Sequence, residues 1–382
     1  MRYIFLALIF LWIYLSTHFY LSFFQNFSLP LKIFFTFLCS SAILLIISMH
    51  PLEFTTGIKF SGTVMSIMDF LLAVISTLFF IYLFTDILKI LHIYPSSWFS
   101  GRTSEGLSFA VISLIICAAG YINAFVPVVM NYKIISDKNY KQDSLTIAAI
   151  SDLHIGSASM TPKKLRKSIE KINAMKPDLV FILGDIFDGR GSYNTFIDNK
   201  YGDILKDLKS NYGTFAITGN HEYYMEETQP AISLLESAGI KVLQDDSVYV
   251  WEINTYIIGR KDAASDLKGR ERMSLRRIMK RPQFHESDSL FIVLDHNPKY
   301  INESRKVYAD IQLSGHTHNG QLFPLNLIEK FIYETSWGLS KKGYTTLFVT
   351  SGLGIWGPAV RTSAVSEIAK ITVTHSKNKG KI

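Results

Sequence analysis

Five short apolar runs from Leu145 onward in this 382-residue chain each lead into a polar block. Leu145-Thr146-Ile147-Ala148-Ala149-Ile150 leads into Asp152-Leu153-His154. Leu179-Val180-Phe181-Ile182-Leu183 leads into Gly184-Asp185, with Asp188 behind it. Thr214-Phe215-Ala216-Ile217-Thr218 leads into Gly219-Asn220-His221-Glu222. Leu290-Phe291-Ile292-Val293-Leu294 leads into Asp295-His296-Asn297-Pro298, and Ile311-Gln312-Leu313 into Gly315-His316-Thr317-His318. Runs of this length and composition read as buried strands. The carboxyl ends of such strands, with a glycine allowing a sharp exit, are where α/β folds gather ligands. Between the first two runs, Thr161 is a helix N-cap and Pro162 suits the first turn. Leu165, Ile169 and Ile172 follow at helical spacing.

The residue types point to metal chemistry. A pair of divalent cations needs hard oxygen and imidazole donors, some of them shared between the ions. Carboxylates, one amide and several histidines are supplied. Of ten histidines, five fall inside the blocks: His154, His221, His296, His316 and His318. A lone histidine is more often structural, but five of ten in five blocks argues the other way. His18, His50 and His92 sit in or beside apolar N-terminal runs and match no block. The two cysteines, Cys39 and Cys117, also lie in apolar N-terminal segments, which excludes thiolate ligation. Two residues keep a second reading: Asp188 as a turn residue before Gly189, and Glu222 as a first-turn helix carboxylate.

Taken together, the blocks resemble the calcineurin-like metallophosphoesterase superfamily, over roughly residues 145 to 373. The runs His316-Thr317-His318-Asn319-Gly320-Gln321 and Gly352-Leu353-Gly354-Ile355-Trp356-Gly357-Pro358 look like its membrane-associated phosphodiesterase branch. That branch includes enzymes similar to the lipid A pathway's UDP-2,3-diacylglucosamine pyrophosphatase. The four-span form resembles proteins called transmembrane proteins with a metallophosphoesterase domain. Many relatives have glycine where this chain has Asn319, a departure beside the ligands that bears on substrate contacts.

The resemblance implies a fold and a site. The fold is α/β: a two-sheet sandwich over residues 145–376, preceded by an all-α, four-helix transmembrane domain over residues 1–130. Residues 131–144 are a juxtamembrane linker and 377–382 a basic tail. The cofactor is two divalent metal ions, manganese, iron or zinc, with manganese favoured. Asp152, His154 and His318 hold one ion, and Asn220, His296 and His316 the other. Asp185 bridges them. His221 acts as general acid toward the leaving oxygen or orients the phosphate. Asp188 and Glu222 orient the ligands. Water attacks phosphorus in line, with no covalent enzyme intermediate.

The first 130 residues are a different material. Tyr3 to Phe24, Ile33 to Met49, Val64 to Phe84 and Leu107 to Met130 are apolar runs, each near the roughly 20 residues a bilayer crossing needs. The first is too long for a signal peptide and no small-residue cleavage site follows it. Asp69 lies within the third run. It faces either a bundle interior or a hydrated interface. Arg2, Lys59, Lys133, Lys138 and Lys141 fall on one side of a four-span topology and Lys32, Lys89 and Arg102 on the other. Five against three favours a cytoplasmic catalytic domain.

Residues 1–130 carry five basic and four acidic residues, and the rest carries 34 and 28, so the excess of basic residues lies on the second part. That suits a phosphorylated substrate or an anionic lipid surface and does not select nucleic acid. The reading is a membrane-anchored phosphoester or phosphoanhydride hydrolase whose substrate is lipid-linked. Two others stay open: a phosphatase or nucleotide phosphodiesterase with a soluble substrate, and a non-catalytic sensor or transporter that binds a phosphorylated ligand. No oligomeric state follows from these features.

Overall fold

A computed structural model describes residues 2–24, 27–56, 62–138, 140–189, 191–225, 227–269, 271–279 and 288–375. The expected basic tail 377–382 and Lys59 lie outside these residues. The chain divides into two compact units. The first comprises residues 1–122 with two short later segments, Leu322–Pro324 and Gly357–Thr362. The second holds everything else.

Four helices build the first unit: Arg2–Phe19, continued by a π turn at Tyr20–Phe24, then Leu29–Thr56, Gly62–Ile90 and Arg102–Phe125. Two stretches, Val64–Ile90 and Arg102–Phe125, are long and apolar enough to cross a bilayer. The described apolar parts of the other two, Ile9–Phe24 and Leu29–Leu45, are shorter. The expected count of four spans is therefore met by two helices of spanning length among the described residues. Phe37, Leu29, Ile90 and Ile115 are all well exposed, an arrangement costly in water and suited to lipid. Asp69 is buried.

The fourth helix ends earlier than hydropathy suggests. The expected span ran to Met130, but the helix stops at Phe125 and Pro127 opens a strand. Proline disfavours helix at the residue before it and lacks the N–H that a helix interior needs. That strand, β1 (Pro127–Ser136), pairs along its whole length with β12 (Ser366–His375). The first six residues of the expected linker at 131–144 thus belong to an edge strand of the second unit.

Two mixed six-stranded sheets form the second unit. The first sheet runs β1, β12, β2 (Ser144–Ile150), β3 (Leu179–Leu183), β4 (Thr214–Ile217), β5 (Lys241–Val242). The second runs β10 (Gly338–Lys342), β11 (Thr345–Val349), β9 (Ile311–Ser314), β8 (Leu290–Leu294), β7 (Thr255–Gly259), β6 (Asp246–Val250). Strand side chains alternate, and here both faces are covered, which is why the runs are apolar throughout. Leu145, Ile147 and Ala149 of β2, with Leu179, Phe181 and Leu183 of β3, share one core with Ile292, Leu294 and Leu313 from the other sheet. Ala148, Ile150, Val180 and Ile182 point the other way, onto Leu165, Ile169 and Ile172 of the helix Pro162–Ala174. Thr161 caps that helix, accepting from the Lys164 amide.

Register sets the site. β2, β3 and β4 are parallel, with Ile150 level with Ile182 and Leu183 level with Ile217. Their carboxyl ends therefore release Asp152, Asp185 and Asn220 side by side. β8 and β9 are also parallel, with Leu294 opposite Leu313, so His296 and His316 leave together.

Candidate metal centre

Three overlapping groups of donor atoms converge at these strand ends: Asp152, His154 and His318; His154, Asp185 and His221; and Asp185, His296 and His316. Within each group the atoms lie within 4.8 Å of one another. His318 Nε2 is 3.3 Å from Asp152 Oδ1 and 3.2 Å from His154 Nε2. His296 Nε2 is 3.2 Å from Asp185 Oδ2 yet makes no hydrogen bond among the described residues. Two such atoms facing one point without bonding each other suit a shared cation. Asn220 Oδ1 is likewise buried without a partner. The set of carboxylate, amide and imidazole donors fits divalent metal ions.

The chain orients these donors from behind. His296 Nδ1 donates to the Leu183 carbonyl at 2.7 Å, which aims Nε2 at the cluster. His154 Nδ1 meets Asp188 Oδ1 at 2.9 Å. The Asp188 carbonyl accepts from His221 Nδ1 at 3.2 Å, so Asp188 fixes both rings. Asp185 divides its oxygens: Oδ1 accepts from the His221 amide at 2.8 Å, while Oδ2 faces His296. Glu222 is fully buried and accepts from four amides, those of Asp185, Ile186, Phe187 and Gly219. It clamps the loop carrying Asp185 to the loop carrying Asn220. Burial, then the Asp185 charge, push its carboxyl up to about 7 despite those donors.

Backbone conformation is concentrated on the site as well. Asp152, His154, Asp185, His316 and His318 all have left-handed φ, between 46° and 73°. Each such residue costs of order 1–3 kcal/mol, and strain of this kind gathers where geometry matters more than stability. Gly184 turns the chain at φ 90°, and a Cβ there would lie 2.7 Å from both the Gly219 nitrogen and His296 Nδ1. No other residue fits.

The electrostatics are reciprocal. Burial alone would raise the Asp185 carboxyl, but the imidazoles of His296, His221 and His154 hold it well below the usual carboxylate range. Burial opposes a charged His296, and Asp185 overcomes that and lifts it well above its ordinary value. Burial and the neighbouring His296 lower His316. The carboxylates thus bind positive charge, as imidazole protons or as a cation, and ligation displaces those protons.

A cleft of about 360 Å³ opens on the centre, lined by Asn220, His221, His316 and His318 and walled by Tyr224, Glu329, Tyr333 and Trp356. A larger cavity of about 450 Å³ in the helical unit contains the ion pairs His18–Asp86 at 3.0 Å and Lys89–Glu105 at 2.8 Å. Those groups satisfy one another and, among the described residues, form no group of three metal donors. Every residue expected at the site is at or beside the strand ends. Sequence reasoning missed Arg260 and Arg272, both of which pair with the buried Asp295 beside His296. It also missed Glu329 and Tyr333, whose i, i+4 spacing was the available signal.

Residues 145–320 match the calcineurin-like phosphoesterase family. An uncharacterized metallophosphoesterase of Campylobacter jejuni is 33% identical over 272 residues, which is 71% of this chain and 70% of that protein. One of Helicobacter pylori is 34% identical over 233 residues, 59% of this chain and 58% of its own length. A Danio rerio protein named transmembrane protein with metallophosphoesterase domain is 28% identical over 293 residues, 72% of this chain and 64% of that protein. The match thus spans less than two thirds of the Helicobacter and Danio proteins.

Proposed function

The chain belongs to the calcineurin-like metallophosphoesterase family, and on that premise we propose a membrane-anchored, two-metal hydrolase of phosphoesters or phosphoanhydrides acting on a lipid-linked substrate. The observation that carries the two-metal reading is Asp185, one carboxylate common to two donor groups. In this reading Asp152, His154 and His318 hold one ion, Asn220, His296 and His316 the other, and Asp185 both. When bound, the ions lower the pKa of water and neutralise phosphoryl oxygens. Manganese is the favoured metal.

The chain's own groups supply the rest. The Asp188 carbonyl occupies His221 Nδ1, leaving Nε2 as the nitrogen available to the leaving oxygen. His221 then donates the proton that the departing alkoxide or phosphate needs. Asp188 and Glu222 keep the ligand loops in register. Support for the lipid-linked substrate comes from two helices of spanning length and from a relative named as a transmembrane protein. We place both termini and the catalytic unit on the cytoplasmic side of four spans, as the basic residues favour.

Turnover of three substrates by the purified full chain with manganese separates this reading from its rivals. A lipid pyrophosphate or lipid phosphodiester should be hydrolysed with a kcat/KM about tenfold or more above a soluble phosphodiester or phosphomonoester. A preference for the soluble compounds would leave the helices as an anchor. Tight binding of phosphorylated ligands with no turnover would favour the sensor or transporter.

A further inference from the structure

The helix Leu325–Ile332 has two faces. Glu329 and, one turn on, Tyr333 line the metal cleft. The Tyr333 ring lies 6.3 Å from that of His316. On the same face, Asn326 Oδ1 and Glu329 Oε2 are buried without hydrogen-bond partners among the described residues, as polar atoms that await a ligand are. The other face is apolar at the spacing of one helical stripe: Leu327, Ile328, Phe331 and Ile332 are all exposed, Phe331 to 92%. An exposed stripe of this kind normally marks an interaction surface.

Chain continuity says what that surface meets. Leu322–Pro324, which ends one residue before the helix, belongs to the membrane-type helical unit, where Leu322 packs with Ala73, Cys117 and Val360. Trp356 lines the cleft, is half exposed, and directly precedes Gly357–Thr362, the other late segment of that unit. Within that unit Gly120 of the fourth helix accepts from the Arg361 amide at 2.9 Å. A Cβ on Gly120 would lie 2.7 Å from Val360 Cγ1, so the approach is close. In sequence, the helix Leu325–Ile332 and the cleft residue Trp356 each directly adjoin a segment of the unit whose helices have bilayer character. The apolar stripe continues that character, and amphipathic helices bury such faces at the headgroup–acyl boundary.

We propose that the helix Leu325–Ile332 lies in the bilayer interface, with Ile328 and Phe331 among the acyl chains and Asn326 and Glu329 facing the metal cleft. A phosphoester at headgroup depth then reaches the metals without leaving the membrane. This delivery role rests on the lipid-linked reading, whereas the insertion itself does not.

The test uses the full chain in phosphatidylcholine liposomes. A fluorophore is placed at Phe331→Cys, Ile328→Cys or the exposed control Lys206→Cys. Cys39→Ala removes the accessible native thiol, while Cys117 is fully buried and stays. Lipids carrying a nitroxide just below the headgroup should quench positions 328 and 331 strongly and 206 weakly, with aqueous iodide reversing the order. Equal iodide quenching at 331 and 206 would overturn the proposal. Protection of 331 from both quenchers, with energy transfer between labelled chains, would overturn it in favour of a second copy.

Delivery has its own readout, because neither Ile328 nor Phe331 lines the cleft. Phe331→Asp should keep turnover of a soluble phosphodiester within about twofold and lose about tenfold or more on a bilayer-embedded one, the scale of losing one buried phenyl group. An equal ratio on both substrates, with insertion intact, would remove the lipid-linked substrate and leave the insertion standing.

Discussion

Asp185→Ala should empty the metal centre and nearly abolish hydrolysis. The carboxylate is common to two donor groups, with Oδ2 facing His296 at 3.2 Å. Its loss removes the one anion that both proposed ions share and leaves His296 without the main charge that lifts it. Transition-state stabilisation worth roughly 4 kcal/mol then disappears, a rate loss of about a thousandfold or more. The fold should survive, because the side chain lies at a strand end and not among the core residues. Elemental analysis and circular dichroism on the same sample check both halves. A variant that keeps two metals per chain would refute the bridging role.

His221→Ala should behave in the opposite way toward metal. The ring is proposed as an acid and not as a resident ligand, so both ions should remain while the rate falls by about a hundredfold or more. The deficit should shrink for substrates with acidic leaving groups, which need less protonation. Asp188→Asn should give a smaller deficit of the same kind, because the carbonyl that accepts from His221 Nδ1 is kept while the carboxylate on His154 is not. A leaving-group series checks this by the slope of log kcat against leaving-group pKa. An unchanged slope in His221→Ala would assign the ring to orienting phosphate instead.

Much of the site was legible because its strands are buried on both faces. Continuous apolar runs such as Leu179–Leu183 and Leu290–Leu294 have no polar alternation to confuse their limits, and they match β3 and β8 end to end. The ligands follow at strand ends, where short polar blocks stand out against such runs. What escaped depends on partners distant in sequence. β1 reads as the tail of a membrane run followed by a polar linker, and it is a strand only because β12, more than 230 residues later, supplies its hydrogen bonds. Pro127 was the local signal that the helix had ended. The pairing of Arg260 and Arg272 with Asp295 is also non-local, since guanidiniums in a basic stretch carry no mark of burial. The helix Leu325–Ile332 was obscured by its position just after the His316–Gln321 run. Its apolar residues look like core until the structure shows them exposed.

Among the described residues, the four-span reading of the N-terminal part is met only in part. Four apolar runs became four helices, yet only Val64–Ile90 and Arg102–Phe125 have spanning length among the described residues.

The most direct test of the proposed chemistry is a metal titration of the purified full chain. The protein is stripped with chelator, manganese is added back in measured equivalents, and hydrolysis of a phosphodiester is followed together with bound metal. Turnover should be absent from the stripped chain and should saturate at two bound ions per chain. Full turnover by the stripped chain, or saturation with a single ion bound, would contradict a two-metal hydrolase built on Asp185.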